Sequence, residues 1–276
     1  MKRLLLMLGV LLMLSAGLLW GCQRQAMYPG AWMDPGRPLP LPDGAERWEH
    51  PIGGGAVEAI LLPRTGAATD GPGPAVIFMH GNGEFIDQWA PAFRRFTDAG
   101  FTVLLPEYRG YGASAGKPSQ DAIVEDLVAF RERLVALESV DADRLVYVGR
   151  SLGGGFAAQL TERHPPAALI LSSTFTSAAD AAHDLTGLPR WLVRDKLEVR
   201  GVLAGYPGPV LILHGEDDDL MGVHHARANA EAAEHADLGV YPRTGHENMP
   251  EGVGRWDDVV SFLERHQLAA SPSDSP

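Results

Sequence analysis

Leu145-Val146-Tyr147-Val148-Gly149-Arg150-Ser151-Leu152-Gly153-Gly154-Gly155-Phe156-Ala157-Ala158 decides the reading of this chain. A β-branched apolar run stops at a glycine, Arg and Ser follow, and glycines then open an alanine-rich stretch, so the pattern predicts strand, sharp turn, helix. Ser151 sits at the apex. Glycines two before and two after it allow the tight backbone at which a G-x-S-x-G serine presents its hydroxyl. The serine also lies at a helix N-terminus, where the Leu152 N–H can donate to a developing oxyanion. The plainer reading is a glycine-rich turn with an incidental serine, and the rest of the chain decides between the two.

Outward from this stretch, apolar runs alternate with helical patterns. Arg47 to His50 and Ala56 to Leu62 read as an edge hairpin. Ala75 to Met79, Phe101 to Leu105, Arg144 to Val148, Ala168 to Ser172, Val210 to Leu213 and Leu238 to Tyr241 read as further strands, about eight in all. Helices are expected from Ile86 to Ala99 and from an N-cap at Ser119 to about Leu137. Continuous apolar strands interleaved with helices imply an α/β domain, its mostly parallel sheet covered on both faces. Ligands bind such sheets at the carboxyl ends of the strands. Thr174 to Pro207 interrupts the rhythm and is expected to form a short cap, with Phe175, Leu185, Leu188, Trp191, Leu192 and Val193 lining an acyl pocket; the alternative is a plain connection.

A serine hydroxyl needs a base. His246, in the loop after the last strand, is the best placed of ten histidines, and the acid that orients it is expected within Glu216-Asp217-Asp218-Asp219 after the Val210 strand. His224-His225 beside these acids could suggest a metal site, but an acidic loop at a helix start is read here as a solvated N-terminus.

The amino terminus is separate. Met1-Lys2-Arg3 and the uncharged run Leu4 to Trp20 read as a signal peptide covering 1–21. Leu19-Trp20-Gly21-Cys22 resembles a bacterial lipobox, which implies lipidation at Cys22, the one cysteine. Residues 22–43, rich in Pro and Gly, are expected to be a lipid-anchored tether, 44–268 the folded domain and 269–276 a flexible tail. This places the domain outside the cytoplasm, held to a membrane at the periplasmic face or cell surface. The net charge of −12, made more negative by loss of Lys2 and Arg3, argues against nucleic acid as a partner.

His80-Gly81-Asn82-Gly83, Tyr108-Arg109-Gly110-Tyr111-Gly112, Gly149-Arg150-Ser151-Leu152-Gly153-Gly154, His214-Gly215 and Gly245-His246 together resemble the α/β-hydrolase superfamily. The detail is similar to its monoacylglycerol lipase-like and serine aminopeptidase-like branch, including bacterial lipoproteins. The resemblance implies a Ser151, Asp218, His246 triad in the superfamily's chain order. It also implies that the Asn82 and Leu152 N–H groups form the oxyanion hole, that His80 buttresses that loop, and that the reaction is acyl transfer with no cofactor and no metal. Met221-Gly222 departs from the usual Val-Pro after the acid. An ester of short to medium acyl chain is the expected substrate. An aminopeptidase, a thioesterase or a non-catalytic binding protein on the same fold are the alternatives. A peptidase of this branch needs an acidic anchor for the substrate amine, and Glu84 and Glu107 are available in sequence.

Overall fold

A computed structural model describes residues 17, 20–37, 39–65 and 71–269. Eight strands form one sheet: β1 (Glu46–Ile52), β2 (Gly55–Leu62), β3 (Gly73–Met79), β4 (Thr102–Pro106), β5 (Val140–Arg150), β6 (Ala168–Ser172), β7 (Val210–Gly215) and β8 (Ala236–Tyr241). Their spatial order is β1-β2-β4-β3-β5-β6-β7-β8. β1 pairs with β2 and β2 with β4 antiparallel, and all later pairs are parallel.

The strand pleat divides the core into two layers. Val76 and Phe78 of β3 pack on one face with Phe93, Phe96, Val148, Ile170 and Phe262. Ala75, Ile77 and Met79 pack on the other with Leu127, Phe130, Tyr147, Phe156 and Leu171. Every residue of β3, β4, β6 and β7 is buried. That explains why their sequences are runs of apolar residues rather than alternating, with Thr102, Ser172 and His214 only at or near their ends. Burial of one such side chain is worth about 1.5–3 kcal/mol, so the sheet is a rigid base for loops at its carboxyl end.

The helices are α1 (Ile86–Trp89), α2 (Arg94–Asp98), α3 (Gln120–Val135), α4 (Leu152–Arg163), α5 (Ala178–Thr186), α6 (Arg200–Leu203), α7 (His224–Ala232) and α8 (Trp256–Arg265). Ser119 caps α3 by accepting from the Ala122 N–H at 3.3 Å. The single helix expected over Ile86 to Ala99 is instead two short ones, α1 and α2, because Pro91 cannot donate to a continuing helical ladder.

Residues 23–31 also differ from the tether their composition suggests. A helix over 20–27 and a turn at Pro29–Ala31 lie against the domain. Tyr28 is fully buried and stacks on Phe156. Its hydroxyl donates to Asp195 Oδ2 at 2.9 Å, and Arg24 grips both oxygens of the same carboxylate at 2.9 Å. Gly30 passes so close to Tyr111 that a Cβ there would lie 2.0 Å from the ring. Buried aromatic area and a paired buried carboxylate outweigh the local preference of a Pro/Gly-rich stretch for extended chain. Most of the expected signal peptide, and residues 270–276 of the expected tail, lie outside the described residues. Cys22 is exposed. Among the described residues, no helix is long and apolar enough to cross a membrane.

Thr174 to Pro207, between β6 and β7, contains α5, a single 3-10 turn at Arg190–Leu192, and α6. Phe175, Val193, Leu197, Val199 and Leu203 are buried. Trp191, expected to line a pocket, is instead 74% exposed, and Leu185 is 50% exposed.

Candidate active site

β5 ends at Arg150 and α4 begins at Leu152, leaving Ser151 alone to turn the chain at φ 50° and ψ −118°. A positive φ is costly for a side chain with a Cβ. It is held by the Ser151 N–H donating to Ser172 O at 2.9 Å and by Thr174 Oγ1 donating to Ser151 O at 2.8 Å. The glycines make the turn possible. A Cβ on Gly149 would lie 2.6 Å from Gly153 O, and one on Gly153 would lie 2.0 Å from Met79 O.

The loop after β8 brings His246 to Ser151, with Nε2 3.0 Å from Oγ, and Asp218 Oδ2 lies 2.9 Å from His246 Nδ1. A carboxylate can only accept, so Nδ1 carries the proton and Nε2 is left free to accept from the Ser151 hydroxyl. All three residues are buried. Of the carboxylates left open by spacing, Asp218 faces His246, whereas Glu216, Asp217 and Asp219 are exposed. Asp218 Oδ1 also accepts from the Met221 and Leu220 N–H groups at 2.7 and 3.1 Å. His214 Nε2 lies 3.3 Å from Asp218 Oδ2 and 2.5 Å from Met221 O; both are acceptors, so Nε2 holds its proton. Burial pushes the Asp218 carboxyl up, but the hydrogen bonds from His214, His246 and Met221 prevail and hold it well below the usual carboxylate range. It is a charged acceptor at every working pH.

Opposite this row lies the β3–α1 loop. Among the described residues, the Asn82 and Leu152 N–H groups have no protein acceptor, while the Gly81 N–H donates to Glu84 Oε2 at 2.7 Å. The loop is fixed from below by His80, whose Nε2 meets Glu107 Oε1 at 2.8 Å and whose ring stacks on Tyr108 at 4.0 Å. It is fixed from the side at Asn82, whose Oδ1 accepts from Tyr111 Oη at 2.7 Å and whose Nδ2 donates to Met27 O at 2.9 Å. The amino-terminal segment thus touches the loop that carries the Asn82 N–H.

Arg150 ties the β3–α1 loop to the loop that carries His246. Its guanidinium pairs with Glu84, donates to His246 O at 3.0 Å and Gly252 O at 3.2 Å, and lies 3.7 Å from Glu247. Burial pulls its pKa down from the ordinary value, against the pull of the Glu247 and Asp218 carboxylates. Glu84 in turn holds the Gly81 N–H and Trp89 Nε1. The residue beside Ser151 therefore fixes both the histidine loop and the β3–α1 loop. Sequence reading offers only the choice between a salt bridge and a substrate contact at Arg150. The Met27, Thr174 and Gly252 contacts carry no motif that could have announced them.

A mostly parallel eight-stranded sheet with a strained serine between a strand and a helix, and a His and an Asp from later loops, is the architecture of the α/β-hydrolases. The profile of the serine aminopeptidase S33 family matches residues 70–201. The uncharacterized protein Rv2307c of Mycobacterium tuberculosis is 34% identical over 271 residues, covering 95% of each chain. Lysophosphatidylserine lipase ABHD12 of Rattus norvegicus is 30% identical over 177 residues, 56% of this chain and 44% of that protein. Acetyl xylan esterase 1 from Thermoanaerobacterium superposes with a TM-score of 0.62 at 20% identity, covering 92% of this chain and 93% of that one. The chain belongs to the S33 family of α/β-hydrolases.

Proposed function

We propose that this hydrolase is a serine carboxylic ester hydrolase acting through an acyl-enzyme, with Ser151 as nucleophile, His246 as general base and acid, and Asp218 as the group that orients His246. The observation that carries this reading is the continuous Asp218, His246, Ser151 hydrogen-bond row at 2.9 and 3.0 Å. As Oγ attacks the ester carbonyl carbon, its proton passes to His246 Nε2 and the carbonyl oxygen becomes an oxyanion facing the Asn82 and Leu152 N–H groups. The C–O bond then breaks and the alcohol leaves with the proton from His246. Water, deprotonated by His246, attacks the acyl carbon and releases the acid and Ser151. Two positioned donors suit the oxyanion, since losing one such donor costs about 10²–10³ in rate in a well-studied protease.

An ester is favoured over an aminoacyl amide by a specific observation. Glu84 and Glu107, the two carboxylates that the sequence offers as anchors for a substrate amine, are both engaged. Glu84 serves Arg150, Gly81 and Trp89, and Glu107 serves His80, the Tyr108 N–H and the Ile86 N–H. The names of similar proteins divide: one relative is a lipase and one fold neighbour an esterase, whereas the matching family profile is that of a serine aminopeptidase. Acyl chains of short to medium length are the proposed substrates, with the protein lipid-anchored at Cys22 outside the cytoplasm. A panel of p-nitrophenyl esters from two to twelve carbons, matched thioesters and aminoacyl p-nitroanilides tests the reading. It predicts esters first, with a maximum at short to medium acyl length and activity falling roughly fourfold for each methylene removed below that optimum, from about 0.8 kcal/mol per CH₂. Preference for the anilides would overturn it.

A further inference from the structure

Three of the six tryptophans, Trp20, Trp32 and Trp191, are exposed, and all three lie on two segments that are hydrogen-bonded to each other, residues 20–33 and the turn at Arg190–Leu192. Gln23 Nε2 donates to Leu192 O at 2.8 Å, and the Arg194 N–H donates to Gln23 Oε1 at 3.0 Å. The residue after Cys22 is thereby fixed beside Trp191. Further along the same segment, Met27 O holds the Asn82 side chain, and the exposed Met33 has its sulfur 3.3 Å from where a Cβ on Gly83 would stand. Trp32 and Met33 therefore sit beside the oxyanion loop. On the other side, Arg190 pairs with Asp180 of α5, the helix that carries the exposed Leu185. We infer that Trp191, Leu185, Trp32 and Met33 form a surface that rests in the interface of a phospholipid bilayer, which the chain enters at residues 20–22.

A bilayer is favoured over a protein as the occupant by what is attached there. The longest uncharged apolar run of the chain, Leu4 to Leu19, leads directly into the helix over 20–27. If that run is kept as an anchor, or if a lipid on Cys22 replaces it, hydrocarbon is joined to the domain next to Gln23 and so beside Trp191; the inference rests on that reading of the amino terminus. The residue type agrees. Tryptophan, an apolar body with one polar N–H, prefers the boundary between membrane and water. Apolar residues exposed singly need no explanation, but here the other three tryptophans, Trp48, Trp89 and Trp256, pack against the core and the exposed ones share two joined segments. The charge agrees as well. Arg194 stands over the Trp20 ring at 5.2 Å, and Lys196 and Arg200 are exposed further along, in a chain of net charge −12, which sets cations at the level of lipid phosphates. Arg190 adds little, since Asp180 and Asp184 face it, and Glu198 is the exposed acid between the cations. The surface is also fixed: Arg24 and Tyr28 hold Asp195, which stands next to Arg194 in the chain. An ester dissolved in the bilayer would thus meet the Asn82 loop from the membrane side.

The test uses the full chain carrying Trp20→Phe, so that the readout does not depend on removal of residues 1–21. It is reconstituted in phosphatidylcholine–phosphatidylglycerol vesicles whose acyl chains are brominated near the head group, where bromine quenches only indoles that reach the interface. Part of the emission should be quenched. That part should fall in Trp191→Phe and in Trp32→Phe and nearly vanish in the double variant, while Trp256→Phe leaves it unchanged. Phenylalanine keeps an aromatic ring at an exposed position, so these variants should fold, and Trp191→Phe should hydrolyse p-nitrophenyl acetate at the wild-type rate, which separates this result from the chemistry of Ser151. A chain that floats with the vesicles but whose quenching is unaltered in Trp191→Phe or in Trp32→Phe would overturn the surface and leave the anchor standing. A chain that does not float would overturn both. A detergent-solubilised dimer that Trp191→Glu splits would give the surface to a second copy and overturn the inference as well.

Discussion

Three neighbouring aspartates look alike in sequence, and burial separates them. Asp218 faces His246 and three further donors, the Leu220 and Met221 N–H groups and His214 Nε2, while Asp217 and Asp219 face solvent. Asp218→Asn should therefore lower kcat by about 10⁴-fold, the loss seen when the acid of a comparable triad is made an amide. Asp217→Asn and Asp219→Asn should stay within severalfold of wild type. Because the folded-state pKa of Asp218 is depressed, the stability it contributes is present above the unfolded value of about 3.9 and is lost as pH falls below it. Urea melts at pH 7 and at pH 3 should show the gap between wild type and Asp218→Asn narrowing in acid; a gap that widens would contradict the assigned hydrogen bonds. Arg150 is a positioning residue by its contacts. Arg150→Met, which leaves the half-buried Glu84 without its cation, should reduce kcat by at least tenfold with KM nearly unchanged, and Arg150→Lys should restore only part, since an ammonium cannot span His246 O, Gly252 O and Glu84 together. Steady-state kinetics of the two variants decide this, and a pure KM effect would make Arg150 a substrate contact instead.

The strand–turn–helix around Ser151 was readable because its determinants are local: a β-branched run, glycines at fixed offsets and an alanine-rich helix lie within fourteen residues of chain. The sheet was readable for the same reason, as its buried strands are continuous apolar runs. What composition misreads is the amino-terminal segment, whose partner Asp195 stands 171 residues from Arg24 and 167 from Tyr28. Gln23 and Leu192 likewise meet only in three dimensions. Tyr28→Ala should cost about 3–5 kcal/mol in denaturant unfolding, the range for a fully buried aromatic truncated to alanine. Since Met27 O holds the Asn82 side chain, the same variant should lower kcat more than it raises KM. Unchanged stability would show that residues 20–31 do not pack on the domain in solution. Trp191, placed in the cap on its position between two core strands as well as its hydrophobicity, is largely exposed.

At the scale of the whole molecule, the docked amino-terminal helix sets the proposed lipid anchor a few residues from the site-bearing loops, so anchoring at Cys22 would fix the mouth of the site near the bilayer. Cys22→Ala should abolish incorporation of an alkyne fatty acid and move the protein from the membrane to the soluble fraction, with the purified enzyme's kcat unchanged; labelling that persists would assign the lipid elsewhere. The sheet holds three loops so that groups 28 and 95 residues from His246 in sequence converge on it. Covalent chemistry at Ser151 depends on that convergence, and it can be read in a single experiment. Wild type, Ser151→Ala and His246→Ala are treated with a fluorophosphonate, and intact mass with peptide mapping follows. One adduct per chain on the peptide containing Ser151 in wild type, none in Ser151→Ala and labelling slowed by orders of magnitude in His246→Ala is the predicted result; an adduct of equal yield in Ser151→Ala would contradict the account.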